Sequence, residues 1–257
     1  MELFTILGLL LGFFGVVGGM LYEGGNISSL FSVPAFLIVM VGSFGAVLVA
    51  TRQLEAGFII RATKMVLVPP VLDFQGTVDK ILELATLARR EGLLALEDFA
   101  TGDEGELFLR ECLTLAIDGS SVEAIRETVE IDLQLKEEDH KAVAKFWQCW
   151  GTFAPTLGVL GAVLGLIHVM QNLANPNAIG PGIAVAFVAT VYGVGFANLV
   201  CMPAYFKVVR QGEHQQRMYQ MILEGVVGIQ SGLAPGALRS KLSVFITKKP
   251  VADEGAN

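Results

Sequence analysis

The side chains best able to do chemistry in this 257-residue chain are three histidines and three cysteines, and their spacing assembles no reactive centre. His140 and His214 stand in charged surroundings with no Ser or Cys partner suggested by spacing. Cys112, Cys149 and Cys201 are far apart and form no CxxC, which reads as isolated reduced thiols rather than a metal site or a disulfide frame. The chain has no glycine-rich phosphate loop, no H-E-x-x-H and no paired carboxylates in an apolar run. Its many acidic groups read as a solvated face, so the expectation is no enzyme, no metal and no cofactor. His168 is the exception in place, since it lies inside a long apolar run, FAPTLGVLGAVLGLIHVM. A titratable group in such a run is where proton relays are built.

The elements that would position it are membrane spans. Hydrophobic residues make up 53% of the chain and charged residues 17%, with a mean hydropathy of +0.59. Such a composition points to an integral membrane protein, and a net charge of −7 argues against a nucleic-acid binder. Crossing about 30 Å of hydrocarbon takes about 20 apolar residues in a helix. Four runs qualify: 3–22, 33–50, 153–173 and 182–206. The first carries Glu2 in place of a basic leader and shows no clear A-x-A site, so it reads as a retained helix rather than a signal peptide. The expected order is a transmembrane hairpin over 1–50, a cytoplasmic helical domain over 51–150, a second hairpin over 151–206 and a cytoplasmic tail over 207–257.

Orientation follows from Lys and Arg. Of the 18 in the chain, 11 lie in 51–150 and 7 in 207–257, while the connections 23–32 and 174–181 have none. The positive-inside rule puts both basic segments, and both termini, in the cytoplasm. The sequon Asn26-Ile27-Ser28 carries no weight by itself.

The 51–150 segment holds 19 acidic and 11 basic residues and shows helical periodicity, not strand alternation. Val78, Ile81, Leu82, Ala85 and Ala88 form one apolar stripe, and Gly92 is placed to end that helix. Glu104 to Ile117 forms another helix, closed by Gly119. Ser120-Ser121-Val122-Glu123 has capping-box spacing and opens a long polar helix leading to Phe146, Trp147 and Trp150. Those rings are expected at the membrane interface, just before the third span. The fold class expected is all-α: four transmembrane helices with a large helical cytoplasmic domain between the second and third.

Inside the spans the chain carries no Asp, Glu, Lys or Arg, since Glu2 and Glu23 only flank them. A transmembrane proton relay cannot be completed from this chain alone. Spans three and four instead carry small residues at helical spacing: Gly158, Ala162 and Gly165 in one, Ala186, Thr190, Gly193 and Ala197 in the other. Such stripes admit a close helix, which can be a neighbour in the same chain or a partner that brings the missing carboxylate. Pro155 and Pro203 stand near the cytoplasmic ends of these spans. Pro155 fits a helix start, whereas Pro203 lies within an apolar run.

FAPTLGVLGAVLGLIHVM, NPNAIGPGIAVAFVATVYG and LARREGLLALED, in a chain of four spans with this large loop, resemble the MotA/PomA stator subunits of the bacterial flagellar motor. The resemblance covers nearly the whole chain. It implies an ion-conducting subunit of the inner membrane, in a ring of five around two copies of a MotB-like single-span partner. That partner carries the ion-binding aspartate and a peptidoglycan-binding domain, and the ring's cytoplasmic domain pushes the rotor protein FliG. The family's two functional prolines match Pro155 and Pro203, and its ion-path threonine matches Thr190, with Ala186 on the same stripe. Its charged rotor pair matches Arg89 and Glu97, and Arg90 is an auxiliary contact. From the residues alone these three are solvated charges. Sodium-driven relatives place threonines where this chain has Ala162 and Ala189. A dehydrated sodium ion needs several oxygen ligands, so the transported ion expected here is the proton. The alternatives are a sodium-driven stator, an ExbB/TolQ-like envelope energiser, which would have three spans with its N-terminus outside, and a membrane scaffold without ion flow. Lipid surrounds the spans in each case.

Overall fold

The structure is a computed structural model and describes residues 3–51, 56–103, 105–174 and 176–247. Glu2, Glu104 and the end of the tail, 248–257, lie outside the described residues. The described elements are helical, and four helices are long and apolar enough to cross a membrane. The chain divides into two compact units, 1–70 with 140–210, and 71–139 with 211–257. The first therefore takes in more chain than the apolar spans themselves.

In the first unit, α1 is Leu3–Tyr22. The second span is built in three pieces without a break: α2 Val33–Phe36, a π-helical turn Leu37–Val41, and α3 Gly42–Ala50. Ser32 caps its start by accepting from the Ala35 N–H at 3.4 Å. Asn26, the first residue of the sequon, caps the short 3-10 turn Ile27–Leu30 by accepting from the Ser28 N–H at 3.0 Å. A local backbone role thus accounts for that tripeptide. α4, Ala56–Leu67, packs Ala62, Phe58 and Ile59 into the same core as Val47, Phe146 and Val208. α4 lies within the 51–150 segment in sequence but belongs to this first unit.

The third span is not a separate helix. It continues the polar helix as α8, Val122–Gln171, a single run of 50 residues. Pro155 therefore stands in a helix interior, and the expectation that it could open a helix is corrected. The cap of α8 is Ser121, whose Oγ accepts from the Ala124 N–H at 3.1 Å. That shifts the register by one from the expected capping box and leaves Glu123 out of it. α9, Pro176–Phe196, begins within what was expected to be a connection, and a second π turn, Ala197–Cys201, joins it to α10, Met202–Gln230.

Phe146 and Trp147 are buried inside this unit rather than set against lipid. Trp150 is the hub of the group, with ring centroids 4.8 Å from Phe196, 5.2 Å from Phe44 and 5.7 Å from Phe146. Its indole Nε1–H donates to Ser43 Oγ at 3.0 Å. Among the described residues Ser43 is the buried polar side chain, and this bond satisfies it.

The second unit is a helical bundle. α5, Phe74–Glu91, is capped by Asp73, which accepts from the Gly76 N–H at 2.9 Å, and is ended by Gly92 at φ 91°, a conformation open to glycine. Val78, Ile81, Leu82, Leu84 and Ala85 bury its inner face. Each large residue among them contributes about 1.5–3 kcal/mol of burial. A 3-10 turn Leu93–Leu96, α6 Glu97–Thr101 and α7 Leu107–Ile117 follow. α11, Pro235–Thr247, closes the unit, with Leu238 and Leu242 fully buried.

Candidate functional site: the paired third and fourth spans

Spans three and four approach backbone to backbone. A Cβ at Gly158 would come within 2.9 Å of the Ala189 carbonyl oxygen, and one at Gly165 within 2.9 Å of the Ala186 nitrogen. A Cβ at Gly193 would lie 3.0 Å from Pro155 Cα. Only glycine permits such proximity along a helix pair. The small-residue stripe is therefore largely consumed within the chain. Ala186, Ala189 and Ala197 are buried, and Gly193 is covered by Ala154 and Pro155. Of the two alternatives, packing between this chain's own spans accounts for Gly158, Gly165, Ala186, Gly193 and Ala197. Of the stripe residues themselves, Ala162 and Thr190 stay half-buried. Thr190 Oγ1 donates to the Ala186 carbonyl at 3.3 Å, a bond that fixes its rotamer without occupying the oxygen's lone pairs.

The prolines sit at two irregularities that touch. Pro155 has no N–H, so the Gly151 carbonyl loses its i+4 donor. Gly151 in turn abuts the second π turn, where a Cβ would meet Cys201 Cβ at 3.1 Å and Met202 Sδ at 3.3 Å. Pro203, exposed, follows immediately as the second residue of α10. Neither π turn was legible in the sequence, because a one-residue widening leaves the apolar period almost unchanged. Pro203 two residues beyond Cys201 was the available signal.

His168 is exposed and lines an apolar groove of about 280 Å³ with Pro34, Ile38, Leu164 and Pro181. No group of three or more metal-ligating side chains occurs among the described residues.

In the second unit, Arg89 and Arg90 are exposed in the last turn of α5, and Glu97 is exposed in the first turn of α6. Each sits at the helix end its charge favours, cations at a C-terminus and a carboxylate at an N-terminus. Arg90 reaches Glu91 at 3.9 Å. Leu96, fully buried, anchors the turn between them. Elsewhere in the unit Glu224 accepts from Arg126 at 2.6 and 3.0 Å and pairs with Lys241. The Arg126 hydrogen bond, ahead of the Lys241 contacts, holds the Glu224 carboxyl below its ordinary value, and Glu224 raises Arg126 in return. Burial, with Glu111 and Asp132 adding to it, pushes the Cys112 thiol up to about 12, so it is an inert core residue.

These features define a class: a multi-pass helical subunit whose paired spans carry small residues and hydroxyls but no carboxylate. Residues 101–221 match the MotA/TolQ/ExbB proton channel family. Motility protein A of Bacillus subtilis is 34% identical over 253 residues, covering 97% of this chain and 92% of that one. The solved C. jejuni MotAB structure is similar with a TM-score of 0.88 at 33% identity, covering 99% of this chain and 100% of that chain. The flagellar MotAB stator complex from Bacillus subtilis gives 0.87 at 33% identity, with 94% of each chain covered. The chain belongs to the motility protein A family of flagellar stator subunits. It is a membrane-embedded motor component and not an enzyme.

Proposed function

We propose that this chain is the proton-conducting stator subunit of a flagellar motor, coupling inward proton flow to torque on the rotor protein FliG. One observation carries the reading. The four spans hold a tightly closed helix pair with Ala162 and Thr190 left half-open, and no carboxylate to receive a proton. The proton-binding aspartate is supplied by a MotB-like single-span partner, as the names of the similar MotAB structures suggest. In this reading Thr190, with Ala186 behind it, lines the path beside that aspartate. Ala162 offers no side-chain oxygen, which favours a proton over sodium. Ala189 does not add to that argument, because it is packed under Gly161.

Pro155 and Pro203 are the hinge, set where the missing backbone hydrogen bond of one span meets the π turn of the other. Arg89, Arg90 and Glu97 contact the rotor, and exposed charges suit a contact that forms and breaks repeatedly, since each pair is weak. Five copies ring two partner chains in the cytoplasmic membrane, with both termini, 51–150 and 207–257 on the cytoplasmic side and 1–50 and 151–206 forming the transmembrane hairpins. The test is co-expression with a MotB-like partner in a stator-less strain. Rotation restored by the pair, and lost when the partner's intramembrane Asp is changed to Asn, is the expected result. Rotation that survives that change would contradict the reading.

A further inference from the structure

α11 lies against two other helices of its unit, and its charges bracket its apolar stripe. Leu238 and Leu242 are fully buried, with Leu238 Cδ1 covering Gly228 of α10, while α11 also packs on α5. At about 100° per residue, Arg239 and Lys241 fall about 80° to either side of the stripe's midline. Each finds an opposite charge on a different helix. Arg239 donates to Asp79 Oδ1 of α5 at 3.3 Å, and Lys241 pairs with Glu224 of α10, the carboxylate already held by Arg126 of α8.

The division of labour follows from the physics. Two leucines four residues apart supply burial but tolerate a slip of one turn, because burial is non-directional. A charge on each flank does not tolerate it, since a slip or rotation breaks both pairs together. α5 itself lies on α10, where Ile81 covers Gly225. α11 thus wedges against the helix whose last turn carries Arg89 and Arg90.

We propose that α11 is a brace that fixes the pose of α5, with Arg239 and Lys241 as positioning residues for the force-bearing turn. This rests on the reading of Arg89 and Arg90 as rotor contacts. The pairs are exposed or partly so, and their reversal displaces α11 without unfolding the unit.

The test uses the full chain with its partner. Arg239→Asp, Asp79→Arg and the double swap are compared for stall torque per stator at matched membrane level, and for amide hydrogen exchange over 235–247 and 87–91 in the purified complex. Arg239→Asp is expected to raise exchange in both segments about two- to fivefold and to lower torque, with the double swap restoring both. Exchange over 87–91 that fails to follow exchange over 235–247, or a double swap that restores neither quantity, overturns the brace. Arg89→Glu runs in parallel. If it leaves torque intact, the rotor reading has failed and exchange alone decides the brace. If it abolishes torque while Arg239→Asp leaves torque unchanged, the brace is overturned and the rotor reading stands.

Discussion

Gly193 and Pro155 touch through their backbones: a Cβ on Gly193 would stand 3.0 Å from Pro155 Cα and closer still to the Ala154 carbonyl. The proline that weakens span three is thereby held against a residue of span four with no side chain to obstruct it. Gly193→Ala is expected to lower stability by about 1–3 kcal/mol through overpacking. Gly195→Ala, two residues away with no heavy atom within 4 Å of its would-be Cβ, is the control. Thermal unfolding in detergent distinguishes them, and equal midpoints would remove the close-packing account.

Ser43→Ala deletes the acceptor of the Trp150 indole and leaves a partly buried donor unpaired. The expected cost is about 1–3 kcal/mol. The chain has two tryptophans, Trp147 and Trp150, so intrinsic fluorescence reads the site directly. A shifted emission maximum in the folded variant is expected. An unchanged spectrum with unchanged stability would show that the bond does not hold span two to span three.

Much of this organisation is visible in the residues. Four apolar runs, an asymmetric placement of Lys and Arg, the stripe of α5 and its Gly92 terminator each follow from composition and period. The rest depends on which neighbour a face finds. A stripe of Gly158, Ala186 and Gly193 is equally suited to a partner and to its own chain, and spacing does not choose between them. Trp147 and Phe146 look like interfacial rings until α4 and α3 are placed over them. The continuity of α8 through Pro155 was hidden because proline usually marks a boundary, and neighbouring helices override that local preference. For Arg89 and Glu97, the helix-end positions give each charge a local reason to be there, so nothing in the residues alone marks them as contacts.

The Glu224 carboxyl is held below its ordinary value, mainly by the Arg126 hydrogen bond. Its contribution to stability is therefore fully present above the unfolded carboxylate range, about 4.3, and is lost as pH falls through the lower folded value. Unfolding of the native chain is expected to be flat in this respect from pH 7 to pH 5 and to weaken below that. Glu224→Gln should show a shallower acid decline, and an identical decline would mean that Glu224 does not report the pair.

Reversal of Arg89 or Glu97 is expected to impair swimming at unchanged membrane level, and a compensating charge change on the rotor protein should partly restore it. Both residues are exposed, so neither reversal should alter the unfolding midpoint appreciably. Unchanged swimming with both reversed would take the rotor contact away from this turn.

The central claim is that protons, received by a partner's carboxylate beside Ala162 and Thr190, drive this subunit. The most direct measurement is swimming speed of a stator-less strain rescued by this chain and its partner, taken as the proton-motive force is titrated with and without external sodium. Speed that follows the proton-motive force and is indifferent to sodium is the predicted result. Speed that scales with sodium at constant proton-motive force would contradict it.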